Sequence, residues 1–308
     1  MKKMVVCPLF LVLAGCAQQP PAPAPEAPAA KPPTSAEVLE RSAPSDWRAL
    51  DPENTLYLEL ATGRVVIELA PAFAPDHVAN IKALAREKYF DGLVILRSQE
   101  NYVVQWGDPE EDPQKAKPIR TAKSALPGEF WRPAGGLPFT RLADGDVYAP
   151  EVGHSGGFPA ARDPSANRAW LAHCYAAVGV SRGNTSDSGS GAGLYVVIGH
   201  SPRHLDRNIT LAGSVVKGME LLTVLPRGTG ALGFYEKPSQ HVRIKSVRVA
   251  ADVPSAQRSE LELLRTDTAT FAAFVDARRN RREEWFLDPV GRVELCNVPL
   301  PARPVAAR

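Results

Sequence analysis

The stretch Val94–Asp108, VILRSQENYVVQWGD, places Arg97 and Gln105 among apolar and aromatic residues at strand-like spacing. Side chains of a strand alternate between two faces, and the alternation on both sides of residues 98–101 predicts two strands joined by a turn. The two strands would bring a guanidinium and a carboxamide close together. Arginine supplies five N–H donors in a fixed plane, and glutamine adds a donor and an acceptor. We interpret this stretch as the floor of a peptide-binding groove.

The same stretch resembles the motif F-H-R-x-x-x-G-F-M-x-Q-G-G-D of the cyclophilin-type peptidyl-prolyl isomerases, with Tyr102 in place of a phenylalanine. The motif residues that are kept are Arg97, Gln105, Gly107 and Asp108. Residues 204–222, HLDRNITLAGSVVKGMELL, are similar to a second family stretch, W-L-D-x-x-H-x-x-F-G-x-V-x-x-G-M. The residues shared with it are Leu205, Asp206, Gly213, Val215, Gly218 and Met219. The resemblance extends from about Leu56 to Val249.

The resemblance implies an all-β fold, a closed eight-stranded antiparallel barrel with a helix at each mouth. Alternating apolar residues over residues 56–69 predict a first hairpin, in agreement with such a barrel. An apolar stripe predicts one helix from Pro75 to Tyr89, and the second is expected from about Lys217 to Leu225. The cyclophilin-like domain is assigned to residues 51–253.

Two regions lie outside the family pattern. Residues 109–158 are rich in proline and glycine and are predicted to be an insertion of loops and short strands. Between these two regions, within the family pattern, residues 170–180 are predicted to form one strand. Residues 254–308 are predicted to be a small α/β extension, in which an apolar stripe around Phe271 indicates a helix and residues 285–296 indicate a hairpin.

The N-terminus carries a targeting signal. Residues 1–3 are positively charged, and the following apolar run, residues 4–14, is too short to span a bilayer. Residues 13–16, LAGC, resemble the bacterial lipoprotein box, in which Cys16 is lipidated. Residues 1–16 are therefore interpreted as a lipoprotein signal peptide, and residues 17–50 as a proline- and alanine-rich linker. The expected location is the periplasmic face of the outer membrane.

The resemblance assigns Arg97 and Gln105 as catalytic residues beside an apolar pocket for the proline ring. The residues predicted to bind substrate are Tyr102, Val103, Leu194, Val196, His204, Leu205 and Ile209. Counting back from Leu205 puts Val196 where the family has the pocket's phenylalanine. His204 and Ile209 replace a tryptophan and a histidine. The predicted pocket is apolar, without the family's aromatic wall.

These residues predict a peptidyl-prolyl cis/trans isomerase that acts on proline-containing segments of envelope proteins. The barrier to rotation of an X-Pro bond falls when conjugation between nitrogen and carbonyl is weakened, so no nucleophile, metal or cofactor is expected. The altered pocket leaves a second interpretation open, a non-catalytic cyclophilin-like module or chaperone that binds proline peptides. A third is a lipid-anchored scaffold that acts through the insertion and the tail.

The net charge, the histidine spacing and the glycine-rich stretch argue against other classes of function. The net charge of the 308 residues is only +2, which argues against a nucleic-acid partner, and a monomer is expected. His200 and His204 have the spacing of metal ligands, but Pro202 between them rules out a regular helix and no cluster completes a site. The glycine-rich residues 183–193 lack a phosphate-binding motif and are predicted to be a loop. Two cysteines, at positions 174 and 296, either pair or remain buried thiols.

Overall fold

The computed structural model describes Met1 and residues 31–305, so the predicted signal peptide, Cys16 and most of the linker lie outside the described residues. The chain divides into two units, Met1–Pro32 and Pro33–Arg308, and the fold below belongs to the second. Its helices are α1 (Ser35–Glu40), α2 (Pro75–Arg86), α3 (Met219–Thr223) and α4 (Ala269–Asn280). Its strands are β1 (Trp47–Ala49), β2 (Thr55–Leu60), β3 (Gly63–Leu69), β4 (Val94–Ser98), β5 (Val103–Gly107), β6 (Thr140–Leu142), β7 (Glu151–Ser155), β8 (Phe158–Asp163), β9 (Arg168–Leu171), β10 (Ala177–Val180), β11 (Leu194–Val197), β12 (Leu211–Lys217), β13 (Val242–Arg243), β14 (Ser246–Val249), β15 (Leu261–Leu264) and β16 (Ala302–Pro304).

Nine of these strands form one curled antiparallel sheet, in the order β13-β4-β5-β11-β10-β12-β3-β2-β14. The predicted all-β architecture is confirmed, but the barrel has nine strands and is not fully closed. The edge strands β13 and β14 follow each other in the chain without pairing. The two residues between them form hydrogen bonds on opposite sides of the gap. The Ile244 N–H donates to the Leu93 carbonyl, beside β4, and the Lys245 N–H donates to the Glu59 carbonyl, on β2.

The concave side of the sheet encloses the main core, and α2 packs against it. The α2 side chains of Val78, Ile81 and Leu84 are buried among residues of β2 to β5 and β10 to β12. Both predicted helices are present but shorter than expected. The first ends before Lys88, whose φ of 60° is left-handed. The second starts after Gly218, which has a φ of 94° and a Cβ position only 2.8 Å from the Arg64 carbonyl oxygen.

The insertion, the tail and the residues before the barrel fold together. Strands β6 to β9 form a four-stranded sheet, and β1, β15 and β16 form a three-stranded one. Their side chains share a second apolar core, here called the accessory core. Its larger members are Val38, Trp47, Leu142, Val152, Trp170, Leu264, Phe271, Phe274, Val275, Val293, Leu295 and Val298. Segments that are distant along the chain therefore bury one another's apolar side chains.

Three sequence predictions need correction here. Residues 34–49, assigned to the linker, are folded as α1 and β1, and Trp47 is only 8% exposed. The single strand over residues 170–180 is broken into β9 and β10, because Ala176 adopts a left-handed φ of 72°. Residues 285–296 do not form a hairpin; they pass through turns to a 3-10 helix, Leu295–Asn297. The predicted tail helix is present as α4, with Phe271 and Phe274 buried.

A disulfide between Cys174 and Cys296 joins the barrel sheet to the tail, with an S–S distance of 2.04 Å. Cys174 lies between β9 and β10, and Cys296 lies in the last 3-10 helix. The sequence left the state of these cysteines open. Among the residues the structure describes, no helix has the length and apolar character needed to cross a membrane.

His154 on β7 is a buried titratable group of the accessory core. Its side chain is 2% exposed, and its ring centroid lies 5.0 Å from that of Phe271. Burial lowers the pKa of His154 to about 4, although a hydrogen bond with the Val298 backbone acts in the opposite direction. The folded chain therefore holds this imidazole neutral at pH values where a solvated histidine is charged.

We expect the chain to lose stability as the pH falls from about 6.5 to about 4, because the unfolded chain protonates His154 there and the folded chain does not. A folded pKa of about 4 corresponds to a loss of roughly 3 kcal/mol in the free energy of unfolding. Urea unfolding across this pH range measures it. His154→Leu should flatten the dependence, and the exposed His200→Leu should not. A His154→Leu chain with an unchanged pH dependence would show that other groups cause it.

Candidate active site

Arg97 and Gln105 lie opposite each other on the paired strands β4 and β5, as the sequence predicted. The Arg97 Nη1 donates to Gln105 Oε1 at 3.0 Å. Both side chains are half-buried. The register between the strands shifts just before Arg97, which turns this side chain onto the face it shares with Gln105. The predicted guanidinium–carboxamide pair is therefore assembled.

The rest of the Arg97 guanidinium is held by nearby neutral groups. Its Nη2 donates to Gln99 Oε1, and its Nε donates to the Leu232 carbonyl at 2.7 Å. The rings of Tyr102 and Phe234 flank it, with centroids 5.6 Å and 5.2 Å from Cζ. Burial lowers the pKa of Arg97, opposed by Tyr102, yet arginine remains protonated in proteins. The site thus presents a fixed cation with no carboxylate among its hydrogen-bond acceptors.

The register of β5 and β11 decides which residues share this face. Tyr195 pairs with Gln105 and Val197 pairs with Val103, so these four side chains lie on the Arg97 face. Their neighbours point to the other side and join the main core. Leu194 and Val196 are 2% and 0% exposed there. The structure therefore does not bring these two predicted substrate-binding residues to the groove.

Tyr195 is the aromatic residue of the groove face that the sequence interpretation missed. Its ring lies over Gly179 of β10, where a Cβ would come 2.1 Å from Tyr195 Cζ. Val196, the position reached by counting back from Leu205, points to the opposite face of the strand. The alternation from Gln105 across the sheet points to its two neighbours, Tyr195 and Val197, because a one-residue slip reverses every side chain, and Tyr195 is the aromatic one.

A buried polar network runs from Tyr195 to the loop after β11. The Tyr195 hydroxyl lies 3.0 Å from His173 Nε2, and His173 Nδ1 lies 2.9 Å from Asp206 Oδ1. Arg203 Nε donates to the other oxygen of Asp206 at 2.6 Å, and its Nη1 donates to Asp146 of the insertion at 2.9 Å. Burial acts to raise the pKa of Asp206, but His173 and Arg203 outweigh it, so the pKa is lowered. The network fixes residues 203–206 against the sheet.

The remaining predicted substrate-binding residues differ in their burial and in whether they lie on the groove side. Tyr102 and Ile209 are half-buried and pack, with the buried Val103, in an apolar cluster on the groove side, here called the groove-face cluster. Its other members are Ala70, Phe73, Ala134, Leu137, Phe139, Phe158, Ala160, Ala169, Leu171, Ala177, Tyr195, Val197 and Leu211. Leu205 is half-buried and His204 is exposed, and neither belongs to the cluster.

The insertion contributes to the groove-face cluster directly. Leu137, Phe139 and Phe158 of the insertion pack against a cluster that also contains Tyr102 and Ile209. This contact could not be predicted, since no local pattern relates residues 137–158 to the groove strands. Within residues 31–305, no group of three or more His, Cys, Asp or Glu side chains is placed to hold a metal ion.

The fold agrees with the comparisons to known proteins. The family model described as "Cyclophilin type peptidyl-prolyl cis-trans isomerase/CLD" matches residues 55–249. The chain belongs to this family. A probable peptidyl-prolyl cis-trans isomerase of Brucella suis is 47% identical over 60 residues, which are 20% of this chain and 31% of that protein. The chain thus spans about a third of the Brucella relative it matches.

Longer matches are more distant. A peptidyl-prolyl cis-trans isomerase-like 1 of Gibberella zeae is 24% identical over 197 residues, which are 64% of this chain and 95% of that protein. The crystal structure of a cyclophilin from Hirschia baltica superimposes with a TM-score of 0.66 at 24% identity, covering 89% of this chain and 99% of that one. This likeness extends beyond the barrel and supports the fold.

Proposed function

We propose that the chain is a peptidyl-prolyl cis/trans isomerase that acts on X-Pro bonds of bacterial envelope proteins. The observation that carries the proposal is the Arg97 guanidinium, held opposite Gln105 on the groove face by neutral acceptors. Membership of the family and the names of the relatives support the same activity.

The mechanism follows from the barrier to rotation. An X-Pro bond resists twisting by ~18–20 kcal/mol because the nitrogen lone pair is delocalised into the carbonyl. As the bond twists, the lone pair returns to the prolyl nitrogen, which becomes a hydrogen-bond acceptor. Arg97 has five N–H groups, and three of its contacts are made within the chain, so further N–H groups can donate to the nitrogen or the carbonyl. This interaction is stronger in the twisted state and lowers the barrier.

The apolar part of the groove would hold the proline ring. The half-buried Tyr102 and Ile209 would contact the ring, and the buried Val103 and Tyr195 lie beneath them on the groove face. Gln105 would fix a backbone carbonyl of the peptide through its amide N–H, since its oxygen already accepts from Arg97. Tyr195 would thus add an aromatic ring to a pocket that the sequence predicted to have no aromatic wall.

The place of action follows from the N-terminal sequence. A lipid on Cys16 and a proline-rich tether of about 3 Å per residue would hold the folded unit near the membrane, among proteins of the envelope. Mass spectrometry of the mature chain tests this proposal, and we expect an acylated Cys16 as the first residue. An unprocessed Met1, or an unmodified start beyond Cys16, would contradict the anchor.

Exchange NMR on a short X-Pro peptide tests the activity. Uncatalysed isomerisation takes tens of seconds or more, so substoichiometric enzyme that produces exchange between the cis and trans signals is direct evidence of catalysis. The non-catalytic binding module is the second candidate, favoured by the packing of Leu137 and Phe139 of the insertion in the groove-face cluster. Peptide shifts on binding without accelerated exchange would establish that candidate instead.

A further inference from the structure

Gln99 is a polar residue of the groove that neither family motif includes. It follows β4 directly, and its Oε1 accepts from Arg97 Nη2. Its backbone forms the start of the turn, because the Gln99 N–H donates to Val103 at 2.9 Å and its carbonyl accepts from Tyr102 at 3.3 Å. The turn that leads into β5 therefore also fixes Gln99 beside the guanidinium.

A second segment of the chain, residues 228–235, packs against Gln99. Residues 228–235 fold back over β4, with Phe234 bridged to Arg97 and the Gly228 N–H bonded to Ser98 at 2.9 Å. Gly233 in this segment has a φ of 78°, and a Cβ there would lie 2.6 Å from the Gln99 Cα. Gly233 therefore packs directly on the backbone and Cβ of Gln99, and the same segment supplies the Leu232 carbonyl to Arg97.

Each of the three guanidinium nitrogens thus has one acceptor, and all three acceptors are neutral. A carboxylate at any of these positions would hold the same geometry while cancelling most of the positive potential that a half-buried arginine presents. Elsewhere in this chain, arginines are commonly paired with carboxylates, as Arg203 is with Asp206 and Arg248 is with Asp91. Arg97 differs from these in being oriented without being neutralised.

We propose that Gln99 is a positioning residue for prolyl isomerisation, which orients the Arg97 guanidinium through a neutral carboxamide and so preserves its positive charge for the twisted peptide bond. This inference rests on the proposed isomerase function and extends it to a residue outside the family motif. Two properties are required of the residue at position 99. It must accept a hydrogen bond, and it must carry no charge.

Two variants of the full chain separate these properties. Gln99→Glu keeps the size and the acceptor but adds a negative charge, and Gln99→Met keeps the size under Gly233 but removes the acceptor. Exchange NMR over a series of peptide concentrations gives kcat and KM. We expect kcat to fall about tenfold or more in Gln99→Glu and several-fold, up to about tenfold, in Gln99→Met, with KM changed much less. Gln114→Glu, on an exposed residue of the insertion, is the matched control and should behave as wild type.

A second readout follows the guanidinium itself. When its nitrogens are held by acceptors, rotation about the Nε–Cζ bond is slow and the Arg97 Nη protons give separate NMR signals. Gln99→Glu should retain separate signals while kcat falls, and Gln99→Met, which leaves only the Gln105 and Leu232 acceptors, should speed the exchange between them. Loss of kcat with the guanidinium still held is an effect that a purely structural role for Gln99 does not produce.

The outcomes are distinguishable from failure of the isomerase proposal. If wild type does not catalyse exchange, the isomerase proposal fails, and the kinetic role of Gln99 falls with it. If wild type is active and Gln99→Glu matches it, the requirement for a neutral acceptor is wrong. If Gln99→Met leaves both kcat and the Arg97 signals unchanged, Gln99 does not position Arg97.

Discussion

Arg97→Ala should lower kcat/KM for X-Pro isomerisation by roughly two to three orders of magnitude, equivalent to about 3–4 kcal/mol of transition-state stabilisation. The variant removes the only arginine that faces Gln105 on the groove side of the described sheet. No other described residue supplies a cation at this position, since the flanking groups are the Tyr102 and Phe234 rings. Exchange NMR at matched enzyme concentrations measures the loss.

The controls for this experiment address fold and charge separately. Arg97→Lys keeps a cation but loses the planar set of donors, so it should recover only a small part of the activity. Arg141→Ala removes an arginine whose side chain is 61% exposed in the insertion, and it should leave kcat/KM unchanged. Circular dichroism should show the same β-sheet content in all variants. Equal catalysis by wild type and Arg97→Ala would make Arg97 a structural residue and would remove the basis of the proposed mechanism.

The Arg97–Gln105 pair could be predicted from sequence because the geometry is local. The two positions are eight apart in the sequence, and one turn joins their strands. The period of two alone would put Arg97 on the face of Ile95; the register shift just before Arg97 turns it to the face of Gln105. The all-β architecture followed from the same alternation and from two ordered motif matches. The prediction of a closed barrel was wrong, because closure depends on pairing between the edge strands β13 and β14, and the residues between them bond to opposite edges instead.

The errors at Leu194 and Val196 have a single physical cause. Their assignment was carried by counting from Leu205 across a loop, and one residue of difference in loop length exchanges the two faces of the strand. The pairing of Tyr195 with Gln105 corrects the count. A prediction that starts from the neighbouring strand is therefore safer than one that crosses a loop of unknown length.

The accessory core could not be predicted from the sequence, because the residues that form it are distant along the chain. Trp47 packs with Leu264 and Phe271, and Cys174 bonds to Cys296 over a separation of 122 residues. None of these segments has an apolar face that is complete by itself, so residues 34–49 looked like the end of a linker. The proline-rich composition before residue 34 masked the change to an ordered segment.

Asp206→Ala should destabilise the folded chain by about 3–5 kcal/mol, because it leaves Arg203 and His173 buried without their shared partner. Arg203 is 3% exposed and His173 is 0% exposed, so water cannot replace the lost carboxylate at low cost. Urea unfolding at about pH 7 measures the difference. The matched control is Asp267→Ala, in an ion pair with the exposed Arg265, which should cost less than about 1 kcal/mol.

The pH dependence of this difference identifies its origin. The pKa of Asp206 is lowered in the folded chain, so its contribution is fully present above the unfolded value of about 3.9 and is lost as the pH falls through the lower folded value. Wild type and Asp206→Ala should therefore converge in stability only in strong acid. Because Asp206 holds the loop three residues before Ile209, the variant should raise KM for an X-Pro peptide more than it lowers kcat. A loss of stability that stays below about 1 kcal/mol at neutral pH would mean that the His173–Asp206–Arg203 network is dispensable, and an unchanged KM would separate it from the groove.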